Sequence, residues 1–207
     1  MTDDRWFRNT SWNETIASVF EEKLRRARRK SQYLRIQAST LAPTHPLVAL
    51  ELLDRYFALD DDFDHAQAHV DRATAYLALG QIEAGVQSYE AALQREAVFP
   101  NLRTCAYLDL PYQIVLLGLT ERYEQAMTML SAATARLMFP VDHFKFHAIK
   151  AIINSAKGDN STARADARTA LEAAARDHSG FRYHPGVGLV SDRHAQALSK
   201  LRGLCDA

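Results

Sequence analysis

The chain has 207 residues, of which 25 are Lys or Arg and 25 are Asp or Glu, so its formal net charge is zero. A neutral balance argues against a dedicated nucleic-acid or membrane-surface protein, and the length suits one extended domain or two small ones. Hydrophobic residues make up 47%, with only eight Gly and six Pro and no period-two β-branched run, so the composition favours helix over strand.

Cys105 and Cys205 stand far apart and outside any CxxC or metal-ligand spacing. They read as reduced thiols of a cytoplasmic protein. Residues 1–13 carry no apolar core of a secretory signal, and no apolar stretch approaches the roughly 20 residues that span a bilayer, so no membrane is expected as a partner.

In chain order, Ile16, Phe20, Leu24, Ala27, Ser31, Leu34, Ala38 and Leu41 recur every three or four residues. This predicts one helix over residues 13–41, capped by Asn13 or Thr10. Trp6, Phe7 and Trp12 precede it, and three large aromatics so close together predict a segment that folds back onto the body. Pro43 and Pro46 end that helix and begin a second, over residues 46–59. Asp60, Asp61, Asp62 and Asp64 form an acidic turn suited to the N-terminus of the next helix.

Three helix pairs follow: residues 65–79 with 82–97 around Gly80, 102–119 with 122–138, and 142–157 with 161–176 around Gly158-Asp159. Phe99-Pro100 and Phe139-Pro140 close pairs at a distance of 40 residues (139 − 99). Pro111 inside the second pair predicts a kink or a break. Residues 177–190 read as a loop, and residues 191–204 as a terminal helix covering the open end of the stack. The predicted organisation is a single domain: N-terminal helices over 13–59, repeats over 64–176, and a loop with a capping helix over 177–207.

The most informative pattern is Ala73, Tyr76, Gly80, Gly85, Tyr89 and Ala92, small and aromatic residues alternating at helical spacing around one glycine. Two short antiparallel helices nest in this way. The pattern returns as Ala151, Gly158-Asp159, Ala163, Ala167 and Ala170, and as Ala126 and Ala133 with Glu121 in the place of the turn glycine. On these residues the chain resembles the tetratricopeptide repeat family over about residues 64–176. His69 stands where the family has tryptophan. Turn spacings of 41 (121 − 80) and 37 (158 − 121) exceed the family's roughly 34, so the repeats are diverged. The resemblance implies an all-α, right-handed α-solenoid of antiparallel helix pairs, about nine helices, with capping elements at both ends. It also implies a small repeat protein of a kind common in bacteria.

Several clusters invite a chemical reading. Lys23, Arg25, Arg26, Arg28, Arg29, Lys30 and Arg35 form the densest charge feature. As a solvated helix face they are partly paired by Glu21–Arg25 and Glu22–Arg26 at i, i+4. As a site they would hold an anion, an acidic partner, or Asp60–Asp64 of the same chain. His65/His69 and His143/His147 have the spacing of paired metal ligands, but neither has the glutamate of a zinc hydrolase, so no metal is expected. Gly186-Val187-Gly188 precedes a helix without a leading strand and reads as a flexible connector rather than a phosphate turn. The cysteines have no His partner in sequence, and no P-loop, Rossmann or serine-hydrolase motif is present. The residues give no case for an enzyme, and no cofactor is expected.

The resemblance further implies a concave groove lined by the first helix of each pair. Its positions fall on Gln67, Val70, Thr74 and Leu77, then on Leu108, Val115 and Leu119, then on Lys145, Ala148, Ile152 and Ser155. This set is mostly apolar, and the Lys, Asn and Arg that hold a peptide carboxylate in the family are missing. The implied occupant is an apolar or amphipathic segment of a protein partner, or the chain's own N-terminal aromatic segment or C-terminal tail. The expected function is therefore protein–protein interaction, as an adaptor, chaperone-like or regulatory module, monomeric or homodimeric. The alternative is a partner-neutralising protein of the immunity type, or a polyanion binder, acting through the basic face from Lys23 to Arg35.

Overall fold

The computed structural model describes residues 5–59 and 63–206, so the expected acidic turn at Asp60–Asp62 lies outside the described residues. The described residues are all helical, with ten α-helices, three short 3-10 turns and no strand. The helices are α1 (Glu14–Arg26), α2 (Lys30–Leu41), α3 (Pro46–Phe57), α4 (His65–Ala78), α5 (Ile82–Val98), α6 (Ala106–Leu116), α7 (Tyr123–Ala133), α8 (Pro140–Ala156), α9 (Asn160–Ala174) and α10 (Ala195–Asp206). The chain divides into two compact units, Met1–Ala106 and Tyr107–Ala207.

In the N-terminal unit α2 packs on α3, α3 on α4, and α4 on α5. Asn13 caps α1 by accepting the Ile16 N–H at 2.9 Å. The single helix expected over residues 13–41 is instead two, because the chain turns at Ala27, whose backbone is extended. The apolar stripe runs through the break undisturbed: Leu24 and Ser31 on either side are both buried. Charge and length both weigh against a continuous helix. A continuous helix would set Arg25 against Arg29 and Arg26 against Lys30 at i, i+4, where like charges repel. It would also run to about 42 Å, against about 18 Å for α3 on which α2 packs.

The aromatic N-terminal segment folds back as expected. Trp6 and Phe7 lie 4.8 and 4.7 Å from the Tyr33 ring, and Trp12 lies 5.5 Å from Phe20. A polar clasp fixes it. Gln37 is fully buried and accepts from Asn9 N–H at 3.0 Å and Asn9 Nδ2 at 2.9 Å, while its own Nε2 donates to Asn9 O at 2.8 Å. A buried amide is tolerated when its donors and acceptors are satisfied, as these are. Phe20, Leu41, Leu53 and Tyr56 form the centre of this core.

Three turns share one geometry. Gly80, Gly118 and Gly158 have φ of 72°, 70° and 82°, the left-handed region open to glycine. The residue after each donates to a carbonyl five positions back: Gln81 to Tyr76, Leu119 to Ile114, and Asp159 to Asn154, at 2.9 to 3.0 Å. This is the glycine-terminated helix end that satisfies orphan carbonyls. The second turn is therefore at Gly118, not at Glu121 as expected, and the spacings become 38 (118 − 80) and 40 (158 − 118). The sites five, eight and twelve residues past each glycine are all buried: Gly85, Ser88 and Ala92; Tyr123, Ala126 and Leu130; Ala163, Asp166 and Ala170.

In the second pair, α6 begins only at Ala106 rather than at residue 102. Buried Glu96 fixes Thr104 first, accepting its N–H at 2.8 Å and its hydroxyl at 2.5 Å. Pro111 lies inside α6, and the helix continues past it to Leu116. α7 is shorter than expected and ends in a 3-10 turn at Thr134–Arg136.

In the C-terminal unit α8 packs on α9, and α10 packs on both. Asp159 begins α9 by accepting the Thr162 N–H at 3.1 Å. The loop between α9 and α10 is held, not a flexible connector. Ser179 N–H donates to Pro185 O and Ser179 Oγ to His184 O, each at 2.7 Å, and Val141 N–H donates to Gly188 O at 2.8 Å. A Cβ on Gly188 would come within 2.4 Å of Phe139, so the loop backbone lies directly on that ring. Where one terminal helix was expected from Ser191, a 3-10 turn at Asp192–His194 leads into α10.

Candidate functional site

In the N-terminal unit the expected groove residues sit on α4. Val70 is buried, while Gln67, Thr74 and Leu77 are half-buried. Their polar groups are engaged within the unit. Gln67 Nε2 donates to Asp71 at 3.1 Å and the Thr74 hydroxyl donates to Val70 O at 3.1 Å. Leu77 lies over Gly85, where an added Cβ would meet its side chain at 2.7 Å, so it packs between α4 and α5. Asp71 is buried, which raises its carboxyl pKa. Hydrogen bonds from Gln67 and Ser39 and the Arg35 guanidinium act against that rise. Arg35 reaches both Asp71 at 3.3 Å and Asp64 at 3.1 Å, so the last member of the basic run serves as a tie between α2 and α4.

The rest of the basic run gathers at the corner between α1 and α2. Arg26 pairs with Glu22 at 3.0 Å as expected. Glu21 pairs not with Arg25 but with Arg55 of α3, through two contacts of 2.5 and 2.9 Å that raise the Arg55 pKa. Arg25, Arg28 and Arg29 are exposed. A cleft of about 410 Å³ opens beside them, walled by Arg28, Arg29, Gln32, Tyr56, Phe63 and Asp64.

In the C-terminal unit Leu108 and Val115 are core residues, 1% and 0% exposed. Leu119 is not on the first helix at all, because it follows the turn glycine Gly118. Lys145 and Ile152 are half-buried on α8. Lys145 Nζ lies 2.5 Å from Asp109 on α6 and 5.5 Å from the Tyr112 ring.

Tyr112 was not among the expected residues, although it stands six positions before its turn glycine, as Thr74 and Ile152 do. It is 4% exposed, and its buried hydroxyl has no hydrogen-bond partner. Burial raises its pKa. His194 closes over it, 6.0 Å from Tyr112 and 5.4 Å from Phe144. Burial, then Lys145 and Arg193, hold the His194 imidazole down at about 4, so it is neutral at pH 7. Gln196 and Lys200 of α10 both donate to Leu116 O at 3.4 Å. The face of α6 and α8 is thus covered by the chain's own C-terminal segment, one of the occupants considered above.

The histidine pairs are not arranged as ligands. His69 lies 4.7 Å from the Phe57 ring, and burial followed by Arg72 holds it at about 4. His65 lies 5.2 Å from the same ring. His147 bonds Asp166 at 2.8 Å, with Lys150 at 2.9 Å and Asn154 at 3.4 Å on the same buried carboxylate, so one stripe of α8 ties down α9. Among the described residues no group of three His, Cys, Asp or Glu side chains could hold a metal ion. Cys105 is exposed and Cys205 half-buried, both as thiols. No helix among the described residues is long and apolar enough to cross a membrane.

These features define an all-helical protein with three helix–turn–helix segments of like geometry. Compared with known proteins, the chain matches no family model, no curated protein and no solved structure.

Proposed function

We propose that this chain is a cytoplasmic, tetratricopeptide-like helical-repeat protein without enzymatic activity. In this reading it holds an apolar or amphipathic segment of a protein partner against the first helices of its pairs. The observation that carries the reading is the turn repeated at Gly80, Gly118 and Gly158, with buried positions at the same three offsets behind each glycine. Repeats of this kind cannot bury their apolar faces alone, and stacking them leaves one helix of each pair available for a partner. In the C-terminal unit the partner replaces the contacts that the segment around His194 makes with Tyr112 and Phe144.

The test is affinity capture from the protein's own cells, comparing wild type with Thr74→Glu and Ile152→Glu. Both positions lie on the first-helix faces and are only half-buried. Leu77 is unsuitable, since it packs over Gly85. The reading expects one dominant protein that survives high salt and is lost in at least one of the variants while circular dichroism is unchanged. Capture that persists in both variants refutes it.

A further inference from the structure

The corner between α1 and α2 concentrates positive charge that is only partly paired among the described residues. Lys23, Arg25, Arg28, Arg29 and Lys30 fall within eight residues. Among the described residues none of them makes an ion pair, whereas Arg26, Arg35 and Arg55 each do. Two of these cations, Lys23 and Arg25, have a structural reason to be here, since they occupy the last turn of α1, where positive charge favours the helix end. Arg28 and Arg29 have no such reason. They stand in the break, at the positive end of α2, which has no side-chain cap and no acidic residue in its first turn. Both line the cleft of about 410 Å³, and Phe63 on its wall is 65% exposed. A large exposed ring beside guanidinium groups that make no ion pair among the described residues is the composition of a recognition surface rather than of a solvated helix face.

Carboxylates decide the kind of partner. Asp64 stands in the cleft wall and Glu21 and Glu22 stand beside Arg25, so the positive field is interrupted at close range. A continuous phosphate backbone would meet those carboxylates in like-charge contact. A peptide can place its carboxylates on the arginines and an apolar side chain between them.

We propose that this corner docks an acidic segment of a protein partner, with its carboxylates on Arg28 and Arg29 and one apolar side chain on Phe63. The inference does not rest on the first-helix reading, and the two fail independently.

The experiment is fluorescence anisotropy of the full chain with a labelled peptide of about 12 residues, Asp and Glu around a single Phe. A Lys-rich peptide and an oligothymidylate of equal length serve as comparators. The acidic peptide should bind best, weakening at least tenfold between about 50 and 300 mM salt. Arg28→Glu with Arg29→Glu should weaken it about tenfold or more, Phe63→Ser about threefold, and Thr74→Glu should leave it unchanged. Equal affinity in the charge-reversed variant overturns the proposal. Tighter binding of the oligonucleotide transfers the surface to nucleic acid and overturns it too. So does binding that emerges only after Asp60, Asp61 and Asp62 are changed to Asn, since the chain's own acidic stretch would then be the occupant.

Discussion

Acidification should loosen both units through two histidines, half-buried His69 and buried His194. In the folded chain His69 and His194 are each held at about 4, against 6.5 in an unfolded chain. Burial is the larger cause for both, with Arg72 second for His69 and Lys145 second for His194. As pH falls through 6.5 the unfolded chain takes up these protons and the folded chain does not, until about pH 4. Their contribution is therefore fully present above 6.5 and lost between 6.5 and 4. A difference of 2.5 (6.5 − 4) corresponds to about 3 kcal/mol per histidine. Solvent screening at half-buried His69, and local relaxation around buried His194, reduce this to about 1–2 kcal/mol each. Asp71 acts in the opposite sense. Its raised carboxyl pKa favours the folded state as pH falls, so it flattens the lower end of the profile. The two histidines together should lower the melting temperature by about 5–10 °C between pH 7 and pH 4.5 for a chain of this size. Thermal unfolding followed by circular dichroism at four pH values measures it. His69→Phe and His194→Phe, which keep a ring in each aromatic cluster, should each remove part of the slope. A wild-type melting temperature that does not move, or a slope undiminished in the double variant, refutes the reasoning.

Three further outcomes follow from the contacts. Gly118→Ala, at φ 70°, should cost about 1–2 kcal/mol in urea unfolding, whereas Gly186→Ala, with nothing within 4 Å of the new methyl, should cost close to none. Asp166→Ala leaves His147, Lys150 and Asn154 facing a buried site without their acceptor, and should destabilise the C-terminal unit by about 2–4 kcal/mol. Gln37→Ala removes three hydrogen bonds to Asn9. It should expose residues 5–12 to early proteolysis and lower stability by about 2–3 kcal/mol.

The helices were legible because their apolar residues recur every three or four positions, and Gly80 and Gly158 were legible because each ends such a run. Gly118 was passed over for a physical reason. Where the other two pairs place Gly85 and Ala163 five residues past the glycine, the second places Tyr123, and its alanines come later at Ala126 and Ala133. Reading the alanines as the guide shifted the turn to Glu121. The same shift put Leu119 on a helix and hid Tyr112. The break after Arg26 left no mark on the apolar stripe. Only the like charges at i, i+4 announce it. The ties made by Arg35, Lys145 and Asp166 join side chains 12 to 36 residues apart, and no local pattern carries that information.

These ties bear on where binding energy is available. On α4, Gln67 and Asp71 are satisfied by each other and by Arg35. On α8, Lys145 is held by Asp109, and His147, Lys150 and Asn154 are held by Asp166. A partner on these faces gains little from polar contacts unless it breaks an internal one, and truncating a buried pair costs more than an exposed one. Recognition there would draw on half-buried Ile152 and, once the segment around His194 is displaced, on the Tyr112–Phe144 rings, and it should be nearly indifferent to salt. The α1–α2 corner has the opposite economy: cations without ion pairs among the described residues and little apolar area beyond Phe63, so binding there should depend strongly on salt. A partner that used both would bind in two separable ways, so the salt dependence of any complex reports which surface carries it.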